Sequence, residues 1–513
     1  MENNANVYAY LETGFPEDRS ATAITTPLRS YTWNDIDGMS ARYASLLKAL
    51  NLPAGARVAV QVEKSPEALM LYLGTLRAGY AYVPLNNAYK AAEIEYFLTD
   101  AEPSVVVCDG TSARWIQELS DRLGLAHVYT LDADGNGTLA VAAASQPDTF
   151  ETVVCAEDKL AAILYTSGTT GRSKGAMLSH GNLVANTRTL HEFWQWRSDD
   201  VLLHMLPIFH VHGLFVAAHG ALRAGARMIW LPSLNVEQTM HYLPQCTVMM
   251  GVPTYYVRLL ADTRFGRSQC ERIRLFVSGS APLLMDTFNA FRERTGHTIL
   301  ERYGMSETNM LTSNPCDPSL GPRLGGTVGL PLPGVAVRVM DGKDHPLRVG
   351  ETGHVQVRGA NVFSGYWRMP ERTREEFTED GWFRTGDMGR FGGDGVPDAY
   401  LSIVGRSKDL IISGGYNVYP KEIELVIDEI PGVAESAVIG VPHPDFGEAV
   451  VAAVVPRAGA DLNTEAMILE LKSRLAGFKV PKQIAVVNEL PRNTMGKVQK
   501  NVLRQEWVKE GVG

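Results

Sequence analysis

The stretch AAILYTSGTTGRSKGAML, residues 161–178, decides how this chain is interpreted. Its apolar beginning, Ala161 to Tyr165, predicts a buried strand. Hydroxyl residues, glycines and a lysine follow directly. Glycines allow a tight turn that brings backbone N–H groups close to an anion, hydroxyls add rotatable donors, and lysine adds positive charge. The pattern predicts a triphosphate-binding loop, distinct from a Walker A loop because that motif's glycine-to-lysine spacing is absent. The predicted phosphate-binding residues are Thr166, Ser167, Gly168, Thr169, Thr170, Gly171 and Lys174.

Around this loop the sequence predicts an α/β protein, and 513 residues imply at least two domains. Helical stretches such as Asp35–Leu50 alternate with short β-branched runs such as Arg57–Val62, the pattern of a parallel sheet. After about residue 325, short strands between Gly and Pro turns predict a β-rich appendage. Beyond Arg406 the pattern becomes compact α+β. We therefore predict a large N-terminal domain of α/β subdomains over residues 1–405 and a small α+β C-terminal domain over residues 406–513.

Composition narrows the class of protein. A net charge of -9 disfavours binding to a nucleic-acid backbone. The five cysteines are scattered without a metal-ligand pattern, which is typical of reduced thiols in a cytoplasmic protein. MENNANVYAYLETG contains no basic segment followed by an apolar one, so we expect no signal peptide. The most apolar segment, residues 201–222, is interrupted by histidines and a proline, so we expect no membrane span.

Four further motifs follow the loop in order: ERYGMSETN (301–309), TGDMG (385–389), GRSKDLIISGGYNVYPKEIE (405–424) and PRNTMGKVQKN (491–501). Together with the loop they resemble the signature of the adenylate-forming superfamily, which includes acyl-CoA synthetases, nonribosomal adenylation domains and beetle luciferases. The resemblance implies ATP, Mg²⁺ and coenzyme A as ligands. It also implies an acyl-adenylate intermediate that a thiol attacks without a covalent enzyme intermediate.

The resemblance assigns roles for the first half-reaction. Tyr303 stacks on adenine, Ser306 bonds the α-phosphate, and Asp387 and Arg406 reach the ribose. Glu307, together with Thr166, holds Mg²⁺. Lys497 bridges the substrate carboxylate and the α-phosphate, so Lys497, Glu307 and Thr166 are the predicted catalytic residues. Beyond the phosphate loop, the implied ATP-binding set is Gly279, Ser280, Ala281, Pro282, Glu301, Arg302, Tyr303, Gly304, Ser306, Asp387, Arg406 and Lys497.

For the second half-reaction, the resemblance implies that the small domain is mobile and rotates about a hinge at Lys408. The Lys497 loop then leaves the site, and the segment SGGYNVY enters to line a pantetheine tunnel. The implied coenzyme A contacts are Ser413, Gly414, Gly415, Tyr416, Lys472 and Lys479.

Two arginines bear on which carboxylic acid is the substrate. Arg258 lies in the apolar helix GVPTYYVRLLADT, and Arg302 directly precedes Tyr303. A buried guanidinium is costly unless it meets an anion, and a second substrate carboxylate would meet it with bidentate geometry. An i,i+4 pair of Arg258 with Asp262 is the alternative, as is a nearby acid for Arg302.

GVPTYYVRLL, FHVHGLF and ERYGMSETNM look like malonyl-CoA synthetases. This resemblance favours malonate, with methylmalonate as a further substrate, over another short-chain or aromatic acid. His210 and His212 alternate in a strand-like segment, and we expect His212 to contact the substrate carboxylate.

The alternative from a different class of protein is a sensor without catalytic activity. A non-catalytic nucleotide sensor would tolerate loss of Lys497, Glu307 or Lys174, yet all three are present. We expect small-molecule partners and no nucleic acid or membrane. A lysine acetyltransferase acting on Lys497 is the protein partner that the chemistry suggests, because acetylation would remove the charge that adenylation needs.

Overall fold

The large domain contains two mainly parallel sheets. The computed structural model describes residues 4–166, 173–413, 416–443, 447–493 and 496–509. The strands that come first in the chain are β1 (Thr22–Thr25), β2 (Ser30–Thr32), β3 (Arg57–Gln61), β4 (Ala81–Pro84), β5 (Val105–Cys108), β6 (His127–Thr130), β7 (Leu160–Thr166) and β8 (Lys174–Ser179). The helices among them are α1 (Val7–Glu12), α2 (Trp33–Ala49), α3 (Pro66–Arg77), α4 (Ala91–Ala101), α5 (Ala113–Leu123), α6 (Thr138–Ala144) and α7 (His180–Phe193).

The next third of the chain supplies most of the second sheet. Its strands are β9 (Val201–His204), β10 (Arg227–Trp230), β11 (Val248–Gly251), β12 (Leu275–Ser278), β13 (Leu300–Met305), β14 (Asn309–Ser313) and β15 (Leu330–Pro331). A π-helical segment (His212–Ala218) precedes α8 (His219–Ala224), α9 (Val236–Tyr242), α10 (Pro253–Ala261), α11 (Arg267–Cys270) and α12 (Met285–Thr295). Short 3₁₀ turns cover Leu243–Gln245 and Pro318–Leu320.

The remaining elements form the β-rich appendage and the small domain. The appendage contains β16 (Val335–Met340), β17 (Gly353–Gly359), β18 (Gly365–Tyr366), α13 (Pro370–Glu376), β19 (Phe383–Gly393), β20 (Val396–Arg406) and a 3₁₀ turn at Ser407–Asp409. The small domain contains β21 (Ile411–Ser413), β22 (Tyr416–Val418), α14 (Pro420–Asp428), β23 (Val433–His443), β24 (Gly447–Pro456), α15 (Thr464–Arg474), β25 (Gln483–Val486) and α16 (Lys500–Lys509).

Sheet order explains how the phosphate-loop region is supported. The first sheet runs β18-β8-β7-β4-β3-β5-β6, with β3 to β7 parallel and β8 and β18 antiparallel at one edge. The second runs β15-β14-β13-β12-β11-β9-β10-β1-β2, parallel in its centre. The predicted parallel sheet is therefore confirmed in both halves, with antiparallel strands added at the edges. Buried helices cover the sheets: α3 begins at the N-cap Ser65, with Pro66 in its first turn.

The appendage and the small domain follow the predicted classes. β16-β17-β19-β20 form an antiparallel sheet, as the Gly- and Pro-punctuated pattern predicted. In the small domain, β22-β21-β24-β23 pair antiparallel and β25 joins β24 in parallel, with helices packed on the sheet. Within the described ranges, no helix combines the length and apolar character needed to cross a bilayer.

Candidate active site

The predicted site residues gather where the parallel strands end. β7 of the first sheet ends at Thr166, and β12 and β13 of the second sheet end at Ser278 and Met305. The two groups of strand ends meet where Thr166 Oγ1 lies 3.4 Å from Glu307 Oε1. Open α/β sheets bind ligands at the carboxyl ends of their strands, because the loops that can differ in chemistry meet there. Ser167 to Gly171, the centre of the predicted phosphate loop, lie outside the described residues.

Glu307 and Lys174 place opposite charges at the mouth of this loop. Glu307 is buried; its Oε1 accepts a hydrogen bond from Tyr366 Oη at 3.0 Å and lies 3.4 Å from Thr166 Oγ1. Lys174 Nζ lies 3.5 Å from Glu376 Oε1 and 4.2 Å from the centre of the Tyr366 ring. The structure thus brings Thr166 and Glu307 together, as a shared cation site requires.

A second cluster joins Tyr303 to the end of the appendage. Tyr303 Oη donates to Asp387 Oδ2, and Arg406 Nε lies 2.7 Å from Asp387 Oδ1. The Asp387 carboxylate raises the pKa of Arg406, so this guanidinium stays charged. The residues assigned to adenine and ribose therefore adjoin one another across β13, β19 and β20.

Arg302 is a buried cation that forms no ion pair with a carboxylate of the described residues. Its residue is 4% exposed, and in the part of the chain that the structure describes Nε and Nη2 have no hydrogen-bond partner. Burial lowers its pKa to about 9, so the guanidinium is charged at neutral pH. The alternative of a nearby acid is wrong for the described residues. A Cβ on Gly279 would lie 2.3 Å from Arg302 Cζ, so the guanidinium occupies space that glycine alone provides.

His212 faces the same region. Its Nδ1 lies 3.4 Å from Ser280 Oγ, and its buried Nε2 has no partner among the described residues. Burial and the charge of Arg302 hold the pKa of His212 well below its ordinary value, so the ring is neutral. Ser280 has φ of +70°, a left-handed conformation that costs a non-glycine residue energy and is often found at functional sites.

The strand-like interpretation of the histidine segment is wrong. His210 lies in a turn, and His212 begins a π-helical segment whose first turn is fixed by His204, with Nε2 2.9 Å from Gly213 O. A Cβ on Gly213 would lie 2.1 Å from Pro207 O, so the segment can turn into a helix this closely only with glycine there. π-Helical turns are rare and concentrate at functional sites.

Glu301 lies in β13, directly before Arg302. Burial raises the pKa of Glu301 to about 8, and Oε1 accepts from the Gly326 N–H at 3.1 Å. A Cβ on Gly304 would lie 1.9 Å from Asn309 O, which explains glycine at the bend between β13 and β14.

Lys497 reaches this cleft from the small domain. The preceding Gly496 approaches α10, since a Cβ on it would lie 3.8 Å from Thr254 Cγ2. The Lys497 side chain is accessible to solvent in an open cleft, yet the protein walls around its ammonium lower its pKa, and Arg406 adds repulsion. Its charge also acts on His210, whose pKa burial lowers to about 3. The charges of Arg302, Asp387 and Glu307 also act on the Lys497 ammonium, so Lys497 faces the same cleft.

Contact between the two domains includes an exposed ion pair. Arg457 Nη2 of the small domain lies 2.8 Å from Asp286 Oδ2 at the start of α12. Lys408, the predicted hinge, lies exposed in the 3₁₀ turn that follows β20.

The expected burial of Arg258 is wrong. α10 buries Tyr256 and Leu259, three residues apart, and this turns Val257 and Arg258 to the exposed face. Asp262, the suggested i,i+4 partner, instead binds Arg264 at 2.6 Å. Arg258 therefore needs no anion to offset burial, and its contact with substrate stays a prediction.

The predicted coenzyme A residues are only partly described. Ser413 is buried at the end of β21, whereas Gly414 and Gly415 lie outside the described residues, as does the side chain of Tyr416. Lys472 is exposed on α15, and Lys479 Nζ pairs with Glu422 Oε1 at 2.6 Å. A cavity of about 310 Å³ adjoins the segment that follows β9; its lining includes Asn86, Asn87, Phe209 and Tyr255.

Tyr366, Glu376 and His204 were missed by the sequence analysis. Tyr366 and Glu376 act through contacts between distant segments: Tyr366 and Glu307 are 59 positions apart, and Lys174 and Glu376 are 202 apart, whereas His204 contacts Gly213 nine positions later. No short motif encodes such a contact. The GYW string at residues 365–367 could have drawn attention only as aromatic residues after a glycine turn.

Comparison with known proteins identifies the architecture. The family model described as AMP-binding enzyme matches residues 12–367, and that described as AMP-binding enzyme C-terminal domain matches residues 422–497. The mitochondrial malonate–CoA ligase of Mus musculus is 38% identical over 85% of this chain and 79% of its own length. The malonate–CoA ligase of Arabidopsis thaliana is 36% identical, over 88% and 78%.

A solved structure agrees over almost the whole length. The crystal structure of ATP-bound MatB from Rhodopseudomonas palustris is 51% identical, covers 98% of this chain and 99% of that one, and superposes with a TM-score of 0.94. The match includes both domains and the strand ends on which the site is built. This chain belongs to the family of AMP-binding enzymes.

Proposed function

We propose that this protein is an ATP-dependent, AMP-forming malonate–CoA ligase, acting through a malonyl-adenylate and extending to methylmalonate. The observation that supports this substrate is Arg302, a buried guanidinium beside the neutral His212, whose Nε and Nη2 have no hydrogen-bond partner among the described residues. A monocarboxylate would leave this charge unpaired. The distal carboxylate of a short dicarboxylic acid would accept from both groups in bidentate geometry. The relatives named as malonate–CoA ligases support the same substrate.

The first half-reaction needs the reacting carboxylate in line with the α-phosphorus and a cation between two anions. Lys497 supplies that cation from the open side of the cleft, while Arg302 holds the other end of the acid. Asp387 and Arg406 hold the ribose. Each gives up part of the ion pair between them and binds the ribose hydroxyls instead. Ser306 reaches the α-phosphate. The products are the acyl-adenylate and pyrophosphate.

The oxygen donors present fit Mg²⁺. Mg²⁺ in nucleotide sites is bound through one or two carboxylates together with phosphates, rather than by an all-protein cage. Glu307 and the Thr166 hydroxyl supply hard oxygens, and the described residues contain no cluster of three or more His, Cys, Asp or Glu that would form such a cage. The bound ion supplies charge neutralisation for the triphosphate.

For the second half-reaction we propose that the small domain turns about Lys408, which marks the boundary at residues 405–406. The Lys497 loop leaves, and the segment from Ser413 to Tyr416 enters. The thiol of coenzyme A then attacks the acyl carbonyl and AMP leaves with the bonding electrons. The cavity beside Phe209 and Tyr255 combines apolar walls with the amide groups of Asn86 and Asn87, which suits a pantetheine arm; Glu63 and Lys64 also line it. Exposed Lys472 suits the phosphates; Lys479 would first have to leave Glu422.

The proposed compartment is the cytosol. The five cysteines, Cys108, Cys155, Cys246, Cys270 and Cys316, are all free thiols, and four are buried. Such thiols are usual where disulfides do not persist.

The test is pyrophosphate release with ATP, Mg²⁺, coenzyme A and a panel of acids: malonate, methylmalonate, succinate, acetate, butyrate and benzoate. We expect malonate to give the highest kcat/KM and the coenzyme A thioester to form in equal amount. A higher kcat/KM for acetate, butyrate or benzoate would retain adenylation chemistry and exclude the dicarboxylate assignment of Arg302.

A further inference from the structure

Tyr366 lies outside every motif that the sequence analysis used, yet it borders the phosphate loop. β18 pairs antiparallel with β8, so that Gly365 lies opposite Met177 and Tyr366 opposite Ala176. β8 is the strand that leaves the loop. Two residues of the appendage thereby become the edge of the first sheet, and Tyr366 is fixed by backbone pairing rather than by a loop.

The hydroxyl of Tyr366 contacts the carboxylate assigned to Mg²⁺. Oη donates to Glu307 Oε1 at 3.0 Å, and Thr166 Oγ1 lies 3.4 Å from the same oxygen. Tyr366 is 3% exposed and Glu307 5% exposed, so water competes little for this bond. Thr166 Oγ1 lies equally close to Lys174 O, at 3.4 Å, so the Tyr366 hydroxyl makes the shorter bond to Oε1 and fixes the orientation of the carboxylate. Partners of this kind orient a ligand before the metal arrives.

The ring of the same tyrosine contacts the lysine of the phosphate loop. Lys174 Nζ lies 4.2 Å from the ring centre, within the range of a cation–π interaction. Glu376 Oε1, at 3.5 Å, holds the ammonium from another direction and itself pairs with Arg372 at 2.7 Å. The lysine is thus held between a ring and a carboxylate before any triphosphate binds.

We propose that Tyr366 is a positioning residue with two separable tasks in nucleotide binding. Its hydroxyl sets the Glu307 carboxylate for Mg²⁺, and its ring sets the Lys174 ammonium for the phosphates. Neither task makes Tyr366 a catalytic residue, because both act through another side chain. The inference concerns the nucleotide half of the site and does not depend on which acid is activated.

The alternative is that Tyr366 only fills the core. It packs edge-on against Phe363, with ring centres 4.9 Å apart, and a purely structural residue would need nothing more. The two accounts differ in what removal of the hydroxyl alone does. Packing is nearly unchanged in Tyr366→Phe, whereas the bond to Glu307 is lost.

The experiment measures ATP binding by titration calorimetry as a function of Mg²⁺, using the full-length protein without acid or coenzyme A. Loss of a partner that orients a metal ligand typically costs about 10–100-fold in metal affinity. We expect Tyr366→Phe to raise the Mg²⁺ concentration for half-maximal ATP binding about tenfold. Its ATP affinity at saturating Mg²⁺ should stay within about twofold, because the ring still holds Lys174. Tyr366→Met, whose flexible side chain fills irregular space, should weaken ATP binding even at saturating Mg²⁺.

Tyr165→Phe is the matched control. Tyr165 Oη donates to Asp100 Oδ2 at 2.6 Å in the same sheet, so this variant also loses a tyrosine–carboxylate bond, but one that does not involve Glu307. Its Mg²⁺ dependence should match that of the unmodified protein. All titrations are made below the thermal midpoint of each variant.

Two results overturn the proposal. A Tyr366→Phe protein whose Mg²⁺ dependence coincides with that of the unmodified protein removes the role of the hydroxyl. A Tyr366→Met protein that folds and binds ATP normally at saturating Mg²⁺ excludes the role of the ring. A Tyr366→Met protein that loses no more ATP affinity than Tyr366→Phe excludes it as well. Because no acid is present, failure of the malonate assignment leaves these binding data unchanged and is recognised separately by the acid panel.

Discussion

Replacing Arg302 by Met tests the acid specificity most directly. Met has a similar length and no charge, and it removes the buried guanidinium whose Nε and Nη2 have no partner in the part of the chain that the structure describes. If the distal carboxylate of malonate binds there, the variant leaves that carboxylate in an apolar environment without a partner. A monocarboxylic acid loses nothing by the same change.

The size of the effect follows from the burial. Removing one partner of a buried, hydrogen-bonded ion pair costs about 3–5 kcal/mol, because the other charge stays buried and uncompensated. At about 1.4 kcal/mol per factor of ten, kcat/KM for malonate should fall roughly 100-fold to 4,000-fold. The free protein should gain stability. The pKa of Arg302 is about 9 when folded, below its ordinary 12.5. At pH 7.5 the charge is present in both the folded and unfolded states, and burying it opposes folding.

The assay compares kcat/KM for malonate, acetate and butyrate by pyrophosphate release, together with the thermal midpoint of the free protein. Arg292→Met is the control, since Arg292 is exposed on α12. We expect a large loss for malonate alone, with a higher midpoint for Arg302→Met. An equal loss for all three acids would refute the reasoning, because it would assign Arg302 to ATP or to folding. Unchanged malonate turnover would refute it outright.

Three further predictions concern the same cleft. Lys497→Gln, or acetylation of Lys497, should lower acyl-adenylate formation about 100-fold to 1,000-fold while sparing thioester formation from supplied malonyl-adenylate. The kcat/KM for adenylation should fall as pH rises through a pKa below the ordinary 10.5 of lysine, since the charged form exists only below that lowered value. In Arg406→Met this fall in kcat/KM should move to higher pH, because a charge that repels the Lys497 ammonium is gone. Gly279→Ala places Cβ 2.3 Å from Arg302 Cζ and should lower malonate turnover at least about tenfold while affecting acetate less.

Each of these has an outcome that contradicts it. Normal adenylation by a fully acetylated sample would exclude the role of Lys497. A basic limb at or above pH 10.5, or one that does not move in Arg406→Met, would exclude the electrostatic account of its pKa. For Gly279→Ala the control is Gly266→Ala, where the nearest atoms would lie 3.9 Å from the new Cβ. Equal losses for malonate and acetate would show a general distortion of the cleft.

Local patterns predicted the scaffold well, because they depend on neighbours in sequence. α2 and β3 lie within a few residues of the predicted helix and strand, since helix periodicity and strand composition set them. The sequence also predicted that Thr166 and Glu307 meet, but through the family resemblance, because the two residues are 141 positions apart.

The errors have physical causes. Arg258 was expected inside because its helix is apolar, but the buried face of α10 is set by Tyr256 and Leu259, which leaves Arg258 on the other side. His210 and His212 suggested a strand by their alternation, whereas the glycine and alanines that follow allow a close helical turn. The position of Tyr366 depends on an appendage strand that joins a sheet built from a distant part of the chain. No periodic pattern in the sequence indicates that pairing.

The ion pair between Arg457 and Asp286 bears on the proposed rotation of the small domain. Both side chains are more than half exposed, and pairs of this kind contribute about 0–1 kcal/mol and weaken as ionic strength rises. In the proposed rotation of the small domain, a contact so weak favours one orientation without trapping the domain there. Salt then becomes a means of shifting the balance between the two proposed half-reactions without altering a single residue that touches substrate.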